Sequence, residues 1–244
     1  MLGSGLECSF ALAQNSIRVA VDETLDYPLT AFNKKHQLSG GLLKDFTDRL
    51  AARLGTGVTY LPFSRRRAEA SLLRGESDLL CYFGPQWSAN PAALAWSAPN
   101  LVQIERVVVR SEDSVPENFP QDLKNKKIAL RLGYHYALIQ HLFDTSLSRR
   151  IDQTNVPSMF KLLELGGADV FIMSEGEIEG YYKSHPEKRA RFKLSKTPFS
   201  IVYTKCAISA RSHLNIEHIN KAILRMQESG ELERMSRQYG LGMH

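Results

Sequence analysis

Apolar and polar positions along the chain switch repeatedly between two periods. Ile17-Arg18-Val19-Ala20-Val21 alternates and then stays apolar, a strand pattern, and Asp26-Tyr27-Pro28 breaks it. Leu43, Phe46, Leu50 and Leu54 form one stripe of a helix that Gly55 ends. Val58 to Pro62 reads as a short strand, Arg67 to Arg74 as a helix before Gly75, and Asp78 to Phe83 as a strand again. Strands separated by helices imply βαβ units and a largely parallel sheet.

A second run of the same kind starts near Lys126. Lys127 to Leu130 is a predicted strand, Gly133 a turn and Tyr136 to Phe143 a helix. Asn155 caps the next helix, with Pro157 in its first turn, and Gly166 and Gly167 end it. Asp169 to Met173 is a strand, and Ser174-Glu175-Gly176-Glu177 has the form of a capping box. Ile216, Ile219, Ile223 and Met226 stripe a late helix that stops at Gly230; Leu232, Met235 and Tyr239 stripe a last short one. The two runs echo each other: Leu72-Leu73-Arg74-Gly75-Glu76-Ser77-Asp78-Leu79 matches Leu163-Glu164-Leu165-Gly166-Gly167-Ala168-Asp169-Val170. Two such matches in equivalent βαβ settings suggest two lobes built alike. Val107-Val108-Val109 and Ile201-Val202-Tyr203 are the segments expected to cross between them.

Composition narrows the function. The 244 residues carry 31 Lys and Arg against 26 Asp and Glu, a net charge of +5, with 43% hydrophobic residues. Such a chain is neither disordered nor short of core. The uncharged stretch from Leu79 to Ile104 contains Pro85, Pro91 and Pro99 and several amides, which argues against a membrane span. Arg65-Arg66-Arg67 is the only dense basic run, so no nucleic-acid partner is expected. Cys8, Cys81 and Cys206 have no metal-ligand spacing. Cys81 and Cys206 are a possible pair, although two buried free thiols is the plainer reading. Ala11-Leu12-Ala13 has the small-x-small form of a signal-peptidase site, so residues 1–16 read as a leader remnant or a disordered terminus.

With these parts in order, the chain resembles the bacterial extracellular solute-binding proteins of family 3, the periplasmic amino-acid-binding type. The resemblance runs from about residue 17 to 241. It is carried by Asp26-Tyr27-Pro28, by Gly40-Gly41-Leu42-Leu43-Lys44-Asp45-Phe46 leading to Leu54-Gly55, and by Leu73 to Asp78. Trp96-Ser97-Ala98-Pro99, Asp122 to Ile128, Ile219 to Ile223, Glu228 to Leu232 and Tyr239-Gly240 complete it. It implies an α/β, two-lobed periplasmic-binding-protein fold of type II, with a ligand cleft between the lobes and a two-strand hinge. Lobe 1 would take 17–108 and 200–244, and lobe 2 would take 109–199. It further implies a periplasmic monomer that delivers a small-molecule ligand to an ABC permease, or serves a membrane sensor, and needs no cofactor.

The sequence departs from that family where the ligand would be held. Gly84 to Pro91 lacks the Arg that usually takes the ligand carboxylate, and Ser174, followed by Glu175, stands where an Asp usually meets the ammonium. A zwitterion leaving water needs both charges matched, so other groups must serve. Candidates are Arg67 and Arg131, and the Gly133-Tyr134-His135-Tyr136 turn at a helix start. Tyr27, Tyr82, Trp87 and Tyr134 are candidates for stacking on the ligand, while Arg65 and Arg66 read as solvated. No nucleophile elbow, His-Glu-x-x-His or phosphate loop is present, so no catalytic residue is assigned. A sensing module of the same fold is the alternative, with a dehydratase-like enzyme using Glu175 or Glu177 behind it.

Overall fold

The computed structural model describes residues 16–241; the expected leader remnant, apart from Ser16, and Cys8 lie outside them. Among the described residues thirteen strands form. They are β1 (Ile17–Asp22), β2 (Ala31–Phe32), β3 (Leu38–Gly40), β4 (Val58–Phe63), β5 (Leu79–Phe83) and β6 (Leu94–Trp96). Then come β7 (Val102–Arg110), β8 (Lys127–Arg131), β9 (Arg149–Gln153), β10 (Val170–Ser174), β11 (Phe192–Leu194), β12 (Ser200–Tyr203) and β13 (Lys205–Ser209). Seven α-helices accompany them: α1 (Leu42–Arg53), α2 (Arg65–Arg74), α3 (Ala137–Asp144), α4 (Val156–Glu164), α5 (Glu175–Ser184), α6 (Ile216–Glu228) and α7 (Glu231–Gln238).

The strands make two main sheets, one per lobe. The first runs β4-β1-β5-β13-β6, the second β11-β7-β10-β8-β9, with β12 also on β7. Within each lobe the βαβ strands pair in parallel: β1 with β4 and β5, and β8 with β9 and β10. Period-2 alternation decides what each face buries. Val19, Val21, Leu79 and Cys81 pack on α1, α6 and α7, while Ala20 and Leu80 turn to Ala68 and Leu72 of α2. In the second lobe Val108, Ala129 and Phe171 face α4 and α5, and Val107, Ile128 and Leu130 face α3.

The internal echo is realised in three dimensions. Gly75 and Gly166 both turn left-handed after their helices, at φ 74° and 69°. Asp78 Oδ2 then accepts from the Arg18 backbone N–H at 2.9 Å, and Asp169 Oδ2 from that of Lys127 at 2.6 Å. Each carboxylate thus satisfies an otherwise open N–H at the start of β1 or β8.

Two expectations need correction. β7 lies in the second sheet from Val102 onward, and β12 pairs along it, so Val107–Val109 and Ile201–Tyr203 do not cross. The crossings lie at Leu101 and Thr204, where Thr204 N–H donates to the Leu101 carbonyl at 2.7 Å. The free-thiol reading also fails: antiparallel β5 and β13 bring the Cα atoms of Cys81 and Cys206 to 3.9 Å, and the two are disulfide-bonded. No helix among the described residues is long and apolar enough to cross a membrane.

Candidate functional site

The strands β1, β4 and β5 of lobe 1 and β8 and β10 of lobe 2 all end at the boundary between the lobes, and the loops after them meet there. The centre of that meeting is ionic. Arg131, at the end of β8, is 1% exposed. Its Nη2 donates to Glu177 Oε1 at 2.6 Å, and its Nη1 reaches the Thr24 carbonyl and, at 3.2 Å, Asp26 Oδ2 of lobe 1. Asp26 in turn accepts from the Val156 N–H at the start of α4, and Glu177 Oε1 accepts from the Asp26 N–H at 2.9 Å. Burial works against the Arg131 charge, but the Glu177 and Asp26 carboxylates outweigh it and hold the guanidinium above its ordinary value. Burial pushes the Glu177 carboxyl up, and Arg131 and Ser174 only partly offset that.

A second set of interlobe contacts lies beside this one. The Tyr134 hydroxyl donates to Asp22 Oδ2 at 2.9 Å, and burial with the Asp22 charge pushes that phenol well up. Arg65 Nη1 lies 3.6 Å from the same Asp22 oxygen. Its guanidinium sits 4.5 Å from the Phe83 ring centroid, 4.6 Å from Tyr134 and 5.7 Å from Trp87. Gly133 (φ 80°) turns the chain after Arg131 and lays this loop over the Arg65 and Arg66 side chains.

Next to these contacts lies a half-open cavity of about 770 Å³ between the lobes. Arg65, Arg66 and Trp87 line it from lobe 1, and Tyr134, His135 and Arg150 from lobe 2. Much of its charge is already committed. Glu69 holds Ser88, Ala89 and Asn90 by three hydrogen bonds, and Arg150 pairs with Asp152 at 2.8 Å. Arg66 makes no ion pair among the described residues. The uncommitted charge is therefore cationic.

The residues singled out from the sequence fall into separate places. Trp87 and Tyr134 line the main cavity together. Arg131 lies in the buried ionic centre. Tyr82, Ser174 and Glu175 line a small pocket of about 30 Å³ elsewhere on the lobe boundary, where Glu175 pairs with Arg106 at 3.0 Å. Tyr82 holds a left-handed backbone at φ 57°, strain of about 1–3 kcal/mol for a non-glycine residue. Tyr27 is half exposed, 6.4 Å from the Tyr239 ring. Arg67 is exposed over the Phe63 ring and does not line the cavity.

Arg65, read as solvated, is buried instead. The reason is that α2 begins at Arg65 rather than Arg67, so its first turn presents Arg65 to the cleft. Ser64, a residue type favoured at the N-cap, was the available signal. Ser174 does cap α5, accepting from the Glu177 N–H at 3.3 Å. The Glu177 carboxylate, however, turns to the Ser174 hydroxyl, the Asp26 N–H and Arg131 rather than closing the box. No group of three or more His, Cys, Asp or Glu among the described residues is placed to hold a metal.

No family model matches the chain, and no curated protein does. Solved structures do. An arginine 3rd transport system periplasmic binding protein from Legionella pneumophila superposes with a TM-score of 0.74 at 20% identity, over 92% of this chain and 99% of that one. A histidine kinase sensor domain with similarity to periplasmic binding proteins gives 0.74 at 16% identity, over 94% and 99%. An ancestral amino-acid-binding protein, a precursor of cyclohexadienyl dehydratase, gives 0.72 at 18% identity, over 92% and 95%. The chain has the two-lobed periplasmic-binding-protein fold.

Proposed function

We propose that the chain is a periplasmic solute-binding protein that captures a small polar or anionic organic solute, an amino acid or a relative of one, for an ABC-type transporter. The observation that carries this reading is the cavity between the lobes, walled by both, with cationic groups and aromatic faces turned into it. Arg66 and the flank of Arg65 receive the anionic group, and Trp87 and Tyr134 cover the rest of the solute. A solute that touches both lobes only when they are closed shifts the open–closed population toward closure. The Cys81–Cys206 disulfide supports a location outside the cytosol, where such bonds persist.

The test is a calorimetric titration against amino acids, aromatic acids, polyamines and sugar acids, with recovery of the solute by mass spectrometry. Binding of one class, with the solute recovered unchanged, is expected. Arg66→Ala and Trp87→Ala should each weaken that binding by about 1–3 kcal/mol. Conversion of the solute would instead indicate an enzyme.

A second reading, a sensing module, is favoured by the likeness to the histidine kinase sensor domain, which spans nearly all of both chains. Solute-stimulated ATP hydrolysis by a reconstituted permease separates the two.

A further inference from the structure

A smaller pocket of about 150 Å³ opens toward the hinge and shares Trp87, Tyr134 and His135 with the main cavity. At its floor lies Glu105, 7% exposed, on β7 between Ser174 of β10 and Ser200 of β12. Its carboxylate accepts from Ser200 Oγ at 2.6 Å and from Gln103 Nε2 at 3.3 Å. Both partners are neutral, and Glu105 forms no ion pair among the described residues. The buried cations of the cleft are committed elsewhere: Arg131 to Glu177 and Asp26, and Arg65 to Asp22 and its three rings. The rings of Trp87, Tyr134, Tyr136 and Phe199 line the pocket with Glu105, as does the His135 imidazole.

A buried carboxylate without a counter-charge is costly, and a structure keeps one where something else supplies the charge. Aromatic faces around a carboxylate are the surroundings in which an organic cation is stable after losing its water. A space of this size admits a group of roughly benzene size, enough for the end of a charged side chain. Burial and the Glu177 charge push the Glu105 carboxyl above its ordinary range, with Ser200, Gln103 and the more distant Arg65 charge only partly offsetting them.

We infer that this pocket is the subsite for a cationic group, an alkylammonium or guanidinium, on the solute held in the cleft, with Glu105 as its counter-charge. The inference rests on the reading of the cleft as a solute site and narrows it. The solute then carries its anionic group toward Arg66 and a cationic end toward the hinge. An uncharged analogue of the same shape leaves Glu105 buried and unpaired, so the pocket discriminates against it.

Calorimetry with matched probes tests this: L-lysine against L-norleucine, L-arginine against L-citrulline, and putrescine, alongside L-glutamate and L-glutamine. The expected result is binding at least tenfold tighter for the charged member of a pair, a preference that Glu105→Gln abolishes and Glu105→Asp partly keeps. Thermal melts of both variants report whether they fold, and the wild-type pairs stand without any variant. Equal affinity within the pairs, a preference that survives Glu105→Gln, or binding of only the anionic or neutral probes overturns the role of Glu105 while solute binding stands. Binding of none of these probes, or of any solute in the wider panel, overturns both.

Discussion

Arg131 carries its charge into the lobe boundary because two carboxylates and two backbone carbonyls wait there. Removing one member strands the others, whereas removing both ends of a buried pair leaves far less exposed to loss. Arg131→Met should therefore cost about 3–5 kcal/mol, and the double variant Arg131→Met/Glu177→Leu clearly less than the two single losses added. Denaturant unfolding of the four proteins measures this, and strict additivity would show that the pair is not coupled. Asp78 offers a pH readout. Burial would raise its carboxyl, but hydrogen bonds from Arg18 win and hold it below the usual 3.8. Its contribution is therefore complete above that pH and lost as pH falls through the lowered folded value. Acid unfolding below about pH 4 should be blunted in Asp78→Asn, whose stability at neutral pH is lower. An unchanged acid limb would remove Asp78 from that role. At this scale the matched Gly-x-x-Asp segments were legible, because a left-handed glycine and a capping carboxylate are local demands. The burial of Arg65 was not, since three consecutive arginines look alike until the helix start fixes which one faces inward.

Helix α5 meets lobe 1 through a position with no side chain. A Cβ on Gly180 would lie 2.2 Å from the Tyr27 carbonyl oxygen, and backbone there cannot swing aside as a side chain would. Gly180→Ala should hold the lobes apart, weakening solute binding at least tenfold while each lobe keeps its fold. Circular dichroism for the fold and calorimetry for binding check this, and full affinity in the variant would show that α5 need not approach so closely. The disulfide between β5 and β13 joins the first part of lobe 1 to its last part across 125 residues, a loop closure of about 4–5 kcal/mol in the chain-entropy picture. Most elements were legible, since each carries a period, a cap or a glycine stop. The crossing point was not, because the apolar run Val107–Val109 marks the middle of a buried sheet as readily as a strand between lobes.

The whole molecule is two similar lobes joined at Leu101 and Thr204, with a cleft between them that is lined from both. The arrangement described is the one in which the lobes touch, held by Arg131–Asp26, Tyr134–Asp22 and the Gly180 contact. Such contacts favour the arrangement in which the lobes touch, and under the proposed function a solute bridging Arg66, Trp87 and Tyr134 would add to them. The fold could be read from the order of the segments, because two βαβ runs leave few topologies. The groups proposed to hold the ligand could not, because they come from loops of both lobes that lie far apart in sequence. The most direct measurement is small-angle X-ray scattering of the chain with and without its tightest-binding solute, with Gly180→Ala as the open reference. A smaller radius of gyration with solute in the wild type, and none in Gly180→Ala, is the predicted result. A bound solute that leaves the wild-type scattering curve unchanged, at the open value, would contradict capture by closure.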